Sequence, residues 1–189
     1  MSEDTGKLQK EIEKLIQAAT AGNVKAQANL AWSYDEGEGV EVDHEKAFYW
    51  YTKAAEQNHA TAQYNLGCCY EVGTGVEIDM AKAVYWYEKA AAQNVAEALN
   101  TLGIFYEEGI GCDPDPVKAV EFYRKAGEMG NSLAVNRLGY CCEEGIGTEK
   151  NPALAVDFYK IAAAAGLASA QFNLALCYDH GSGIRKNMR

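Results

Sequence analysis

A repeat of 36 residues runs through the chain and constrains its fold more than any other feature. A leucine recurs at this spacing from Leu30 to Leu174, and an alanine recurs from Ala26 to Ala170. The same spacing separates five copies of a Gly-x-Gly sequence, the first of which begins at Gly37. No insertion or deletion interrupts the register, so the chain is an array of one structural unit.

Each unit is predicted to contain two helices. The first runs roughly over residues 61–72 in the second unit, where Ala62, Leu66 and Tyr70 lie four apart on one face. It is expected to end at Gly73, because glycine adopts the left-handed conformation of a helix C-cap at little cost.

The second helix of that unit is predicted to begin after Asp79 and to end at Asn94, with Ala83, Tyr87 and Ala90 as its buried stripe. The positions equivalent to Asp79 also hold good N-cap residues, namely Asp43, Asp115 and Asn151. Alternation of two short helices through the chain therefore predicts an all-α protein.

Stacking of these pairs is predicted because one pair cannot bury its own apolar face. We expect a right-handed α-α superhelix, a solenoid with a concave inner face. Residues 1–22 are predicted to form an N-terminal capping helix that carries Leu8, Ile12 and Leu15. The array is predicted over residues 23–189, with repeats at 23–58, 59–94, 95–130 and 131–166 and a partial repeat at 167–189.

The fifth unit has a first helix, predicted over residues 168–180, and a glycine loop, but no second helix. An unpaired apolar face is therefore expected around Leu174 and Tyr178, and such a face favours contact. Two interpretations stay open. Either the sequence is a fragment of a longer array, or this end docks on another chain, end-to-end self-association included.

The formal net charge of -10 makes nucleic acid and anionic membranes poor partners. A cationic ligand fits the charge better, although acidity also serves solubility. The N-terminal residues are polar, without the apolar core of a signal peptide, and no stretch approaches the length of a membrane span.

The six cysteines are predicted to be small core residues and not a metal or redox site. Cys69, Cys141 and Cys177 share one repeat position, and packed helices lie about 8–10 Å apart, too far for a disulfide. Cys68 and Cys69 diverge by about 100° around a helix, which suits shared metal poorly. We expect free thiols, no metal, no cofactor and a cytoplasmic location, since the cytosol is reducing.

The inner face of the first helices is predicted to bind a peptide or protein segment. Asparagine amides both donate and accept hydrogen bonds, so they can hold an extended backbone, and aromatic side chains can anchor it. The predicted binding residues are Asn29, Trp32, Tyr64, Asn65, Asn100, Asn136, Arg137, Tyr140, Phe172 and Asn173. The asparagines could equally bridge the backbones of adjacent helices.

An acidic edge is predicted beside the glycine loops, where it would select Lys or Arg in a partner. Its residues are Asp35, Glu36, Glu71, Glu107, Glu108, Glu143, Glu144 and Asp179. A carboxylate near the negative end of a helix carries a small electrostatic penalty, so its recurrence suggests a use. Solvation of the surface is the alternative.

The unit A-x-x-x-L-G-x-x-Y-x-x-G-x-G-V, followed by D-x-x-K-A-x-x-W-Y-x-K-A-A, resembles the Sel1-like repeat, a relative of the tetratricopeptide repeat. The matching stretches include residues 29–55 and 64–91. This resemblance implies a non-catalytic adaptor that scaffolds protein complexes. Cysteine-rich Helicobacter members of the family carry a disulfide in each repeat, whereas the corresponding positions here hold Ala55 with Gln63 and Ala91 with Leu99.

The sequence therefore predicts a protein-protein interaction scaffold that binds a segment of a partner on its concave face. The alternative is a structural element of a larger assembly that acts through its ends or its convex face. A hydrolase, as has been suggested for the cysteine-rich relatives, is disfavoured because no nucleophile stands out with its base.

Overall fold

A computed structural model describes residues 2–183 of the chain, with side chains from residue 9 onward. The Leu8 side chain and residues 184–189, the end of the predicted partial repeat, lie outside the described residues. The described residues divide into two compact units, unit 1 up to Val95 and unit 2 from Ala96.

Ten α-helices and no strand occur within residues 2–183, as the predicted fold class requires. In unit 1 they are α1 (Ser2–Thr20), α2 (Val24–Glu36), α3 (His44–Glu56), α4 (Ala60–Val72) and α5 (Met80–Ala92). In unit 2 they are α6 (Ala96–Glu108), α7 (Pro116–Glu128), α8 (Ser132–Glu144), α9 (Pro152–Ala164) and α10 (Ala168–His180).

The predicted N-caps are confirmed in the second helices of the repeats. Asp43 and Asp79 each accept a hydrogen bond of 3.0 Å from a backbone N–H three residues later. Asp115 and Asn151 do the same, and each is followed by a proline in the first helical turn. These caps fix where each second helix begins, because they satisfy a backbone donor that the helix itself leaves unpaired.

The helix ends follow the predicted glycines closely. Gly73, at φ +85°, is a left-handed C-cap whose N–H donates to the carbonyl of Cys69. The second helix α5 ends at Ala92, two residues before the predicted end. The N–H groups of Asn94 and Val95 turn back to the carbonyls of Ala91 and Ala90, which closes the helix early.

Helices adjacent in the chain pack against each other within each unit. In unit 1, α2 packs on α3 and α4 on α5, and in unit 2 α6 packs on α7 and α8 on α9. Helix α1 packs on α2, where Leu15 and Ile16 contact the buried side chains of Ala19, Ala26 and Leu30.

A buried tyrosine at the centre of each pair makes its tightest contact. Tyr51, Tyr87, Tyr123 and Tyr159 are at most 1% exposed. In three pairs the ring lies directly on a glycine of the first helix. A Cβ on that glycine would approach the ring to within 2.6 Å (Gly67 on Tyr87), 2.3 Å (Gly103 on Tyr123) and 2.5 Å (Gly139 on Tyr159). Only glycine admits this approach, which explains its presence inside a helix despite its low helix propensity.

The second glycine of each Gly-x-Gly lies against the preceding repeat. A Cβ on Gly75 would sit 2.1 Å from the His44 carbonyl oxygen, and one on Gly147 would sit 2.0 Å from that of Pro116. Both glycines of the motif are therefore structural: the first ends a helix, and the second lets the loop touch the start of the previous second helix.

Helix α10 presents exposed apolar side chains, as predicted for the last unit. Phe172 is 64% exposed and Tyr178 is 57% exposed, whereas Leu174 packs partly against the core around Tyr159. Within residues 2–183, no helix combines the length and the apolar composition that crossing a bilayer requires.

We expect Gly103→Ala to destabilise the protein even though alanine favours helix. The new methyl group would overlap the Tyr123 ring, and overpacking of this kind costs about 1–3 kcal/mol. Thermal and urea unfolding followed by circular dichroism would measure the loss.

The matched control is Ala175, at the same repeat position on α10 and exposed. Ala175→Gly should cost only the difference in helix propensity, about 1 kcal/mol. A Gly103→Ala variant that is as stable as the natural protein would show that the tyrosine-glycine contact is not constraining.

Candidate functional site: two grooves on the first helices

Three carboxylates of the predicted acidic edge hold the buried tyrosines. The hydroxyl of Tyr123 donates to Glu107 at 2.6 Å and that of Tyr159 donates to Glu143 at 2.8 Å. A similar hydrogen bond joins Tyr87 and Glu71. Burial raises the pKa of each tyrosine, so the hydroxyl stays protonated and keeps donating. These three acids therefore have a structural partner.

The other acids of the edge face outward or pair elsewhere. Asp35 lies 3.1 Å from the Nδ1 atom of His44, and Asp179 lies 3.8 Å from the Nε2 atom of His180. The remaining exposed members are Glu36, Glu108 and Glu144. The acidic edge thus combines buried structural contacts with solvent-facing charge.

Groove 1 is a depression of about 250 Å³ in unit 1, between α2 and α4. It brings together four predicted site residues, Trp32, Asp35, Glu36 and Asn65. The other lining residues are Tyr51, Cys68, Cys69, Val72 and Thr74. Trp32 is 46% exposed, so its indole is available to a ligand.

Asn65 also has a structural contact in this groove. Burial and the nearby charge of Asp35 raise the pKa of Tyr51, while a hydrogen bond with Asn65 opposes that increase. The first repeat has Ala31 where the later ones have glycine, and here the tyrosine interacts with an asparagine of the next first helix. The bridging interpretation of the asparagines therefore applies in part to Asn65.

Two predicted residues of unit 1 lie outside the lining of groove 1. Asn29 is exposed on α2. Tyr64 is half-buried, and its ring packs against that of Tyr87 with centroids 5.6 Å apart.

Groove 2 is a depression of about 310 Å³ in unit 2, bordered by α6, α8 and α10. It brings together the predicted residues Asn100, Asn136 and Arg137. Ile104, Leu133 and Ser169 complete the lining.

The asparagines of groove 2 differ in their hydrogen bonding. Asn136 accepts a hydrogen bond of 3.1 Å on Oδ1 from Nδ2 of Asn173. Asn100 is only 9% exposed, and its Oδ1 atom has no hydrogen-bond partner among the described residues. Buried polar atoms are nearly always paired, so this carbonyl oxygen is an acceptor without a donor.

The remaining predicted anchors of unit 2 are exposed and do not line groove 2. Tyr140 is 39% exposed on α8, and Phe172 lies on α10. Asn173 is half-buried and reaches the groove only through its bond to Asn136.

Sequence reasoning missed Leu133 and Ser169, which line groove 2. Helix periodicity held the signal, because Leu133 lies four residues before Arg137 and Ser169 lies four before Asn173. Val72 and Thr74 of groove 1 were missed as well, since they lie at the end of a helix where its face turns into the loop.

The six cysteines are free thiols in the described structure. Burial raises the pKa of Cys69 and of Cys141 to about 12, so little thiolate exists at neutral pH. No group of three or more His, Cys, Asp or Glu side chains suited to a metal ion occurs within the described part of the chain.

The fold and the repeat have counterparts among solved structures. A Sel1 repeat protein from Oxalobacter formigenes is 42% identical, with a TM-score of 0.89, over 94% of this chain and 73% of that protein. A protective antigen of uropathogenic Escherichia coli strains with an SLR fold is 37% identical, with a TM-score of 0.92, over 95% of this chain. This chain spans 38% of the length of that antigen.

The cysteine-rich protein B of Helicobacter pylori is more distant, at 29% identity and a TM-score of 0.56 over 70% of this chain and 96% of that protein. No curated protein sequence matches the chain significantly. The family model for the Sel1 repeat matches at residues 24–59, 60–95, 96–131, 132–167 and 168–189, one residue later than the boundaries predicted above. Five consecutive matches and the shared helical-repeat fold show that this chain belongs to the Sel1 repeat family.

Proposed function

We propose that this chain is a non-catalytic adaptor that binds a segment of a partner protein in grooves 1 and 2. Sel1 repeat proteins generally serve as protein-interaction scaffolds. The observation that carries the proposal is the convergence of predicted residues from separate repeats into one depression in each unit. Such depressions, with apolar walls and a few polar groups, suit the side chains and backbone of an extended peptide.

Groove 1 has the chemistry to accept a lysine or arginine of the partner. The exposed indole of Trp32 can cover the apolar stem of such a side chain or face its cation. Asp35 and Glu36 border the same depression and can neutralise the charged end. The amide of Asn65 can hold the adjacent backbone, since it both donates and accepts.

Local structural roles of the histidines favour binding over hydrolysis. His44 pairs with Asp35, and His59 caps α4 by accepting from the backbone N–H of Ala62. His180 lies beside Asp179 at the end of α10. The buried thiols stay protonated, so a cysteine nucleophile is disfavoured too. We therefore propose that the chain is not an enzyme.

Exposed apolar side chains on α10 support a second candidate, a structural element that associates through this helix. Phe172 and Tyr178 are both more than half exposed, and large exposed side chains of this kind favour contacts between chains. On this alternative, light scattering should show association that Tyr178→Glu abolishes. A strictly monomeric protein that is insensitive to Tyr178→Glu would contradict the alternative.

Asn65→Ala combined with Asn136→Ala should weaken peptide binding about tenfold or more, because each removes hydrogen bonds to the bound backbone. Peptides selected from a random displayed library would serve as probes, with affinity measured by fluorescence anisotropy. Circular dichroism would verify that the variant folds.

The control variant is Glu121→Ala, which removes an exposed side chain of α7 away from both grooves. Its affinity should equal that of the natural protein. Unchanged affinity in the folded double variant would contradict the assignment of the binding face.

Glu36→Gln should weaken the binding of lysine- or arginine-containing peptides up to about fivefold, since an exposed charge contributes about 0.2–1 kcal/mol. Raising the salt concentration should reduce this difference, because exposed charges are screened. Matched peptides with glutamine in place of the basic residue should bind the natural protein and the variant equally. Basic peptides that bind both proteins equally at low salt would contradict the cationic assignment of groove 1.

A further inference from the structure

Groove 2 differs from groove 1 in the sign of its charge. The lining of groove 1 includes two carboxylates, Asp35 and Glu36, and no Lys or Arg. The lining of groove 2 includes the guanidinium of Arg137 and no carboxylate. The repeat position of Asn65 in groove 1 holds Arg137 in groove 2, so the sequence changes the charge of equivalent places.

Arg137 has no opposite charge in direct contact. No described carboxylate oxygen lies within 4.0 Å of its side-chain nitrogens, and its side chain is half-buried. Its charge acts on Tyr123 and Cys141, and it opposes the burial that raises the pKa of each. The carboxylate near these groups, Glu107, is already held by the Tyr123 hydroxyl.

Asn100 adds a second requirement, because its buried Oδ1 atom lacks a donor. An unpaired buried carbonyl costs about 1–3 kcal/mol of desolvation, which a ligand that supplies an N–H would recover. Asn136 has its own Oδ1 engaged by Asn173, so what it offers a ligand is its Nδ2 donor.

We propose that groove 2 binds a peptide carboxylate, with the carboxylate on Arg137 and an adjacent backbone N–H donating to Oδ1 of Asn100. This proposal rests on the proposed function and names the chemistry that groove 2 selects. Arginine suits the role because its planar guanidinium can donate two parallel hydrogen bonds to a carboxylate. Ile104 and Leu133 provide the apolar wall for a neighbouring side chain.

The carboxylate can belong to an Asp or Glu side chain or to the C-terminus of a partner chain. Both sources place a backbone N–H close to a carboxylate, which is what the Asn100–Arg137 pair requires. Because the protein carries a formal net charge of -10, an anionic ligand needs this local positive group.

Four blocked peptides test the proposal and separate the two sources. Acetyl-Leu-Glu-Leu-amide and acetyl-Leu-Gln-Leu-amide differ only in a side-chain charge. Acetyl-Leu-Leu with a free carboxylate and its amide differ only in the terminal charge. Binding would be followed by ¹H–¹⁵N NMR of the side-chain groups of Asn100, Asn136 and Arg137.

At least one charged peptide should shift these three signals and bind about tenfold or more tightly than its neutral counterpart, as expected for a charge-assisted hydrogen bond. Arg137→Gln should remove this preference. Arg124→Gln makes the same chemical change at an exposed position on α7 and should preserve it. A preference for the first pair identifies a side-chain carboxylate, and a preference for the second identifies a C-terminus.

Asn100→Leu should separate binding from folding. Removal of the unpaired oxygen should raise the midpoint of thermal unfolding by about 2–4 °C, while carboxylate binding weakens about fivefold or more. A merely structural role for Asn100 would not produce a more stable variant that binds less well. Unchanged affinity in this variant would overturn the role of Asn100.

Equal binding of charged and neutral peptides, a preference that survives Arg137→Gln, or no shift at these signals up to about 10 mM peptide would overturn the carboxylate assignment. These outcomes are distinct from failure of the proposed function. That function fails when library-selected peptides bind the folded Asn65→Ala, Asn136→Ala variant as tightly as the natural protein.

Discussion

The contact between a buried tyrosine ring and the backbone of the facing first helix is the interaction on which each helix pair depends. Glycine at the contact point lets the ring approach closer than any Cβ would allow, as for Tyr123 on Gly103. The hydroxyl then reaches Glu107, one turn further along the same helix. A single side chain thus contributes close packing and a charge-assisted hydrogen bond to the pair.

This arrangement explains why acids recur near the negative ends of the first helices. The dipole disfavours a carboxylate there, but the tyrosine hydroxyl donates to it and offsets the penalty. The first repeat shows the consequence of changing one part. Ala31 replaces glycine, Tyr51 interacts with Asn65, and Asp35 is left to pair with His44 at the border of groove 1. A change in packing therefore alters which charges reach the groove.

Positions that do not hold the pairs together are free to vary, and this variation creates the difference between the grooves. The place of Asn65 is taken by Arg137, and that of Trp32 by Ile104, without any change in the repeat length. Structural polar pairs vary in the same way. Gln63 accepts a hydrogen bond of 2.8 Å from Gln93 in unit 1, whereas the equivalent first-helix position in unit 2 holds the buried apolar Leu99. The frame tolerates either solution because each leaves no buried polar atom unpaired at that place.

The sequence by itself determined the helices and their order, because the spacing of Leu66, Tyr87 and the glycine caps specifies where each helix begins, ends and buries its stripe. It also placed Trp32, Asn65, Asn100 and Arg137 on the first helices, since helical periodicity defines the face of each residue. Only the tertiary structure decided which of them meet. The hydrogen-bond partners of Glu107 and Asn136, the unpaired oxygen of Asn100 and the separation of Phe172 from groove 2 depend on distances between helices. Such distances follow from side-chain packing between repeats, on which the periodicity of a single helix carries no information.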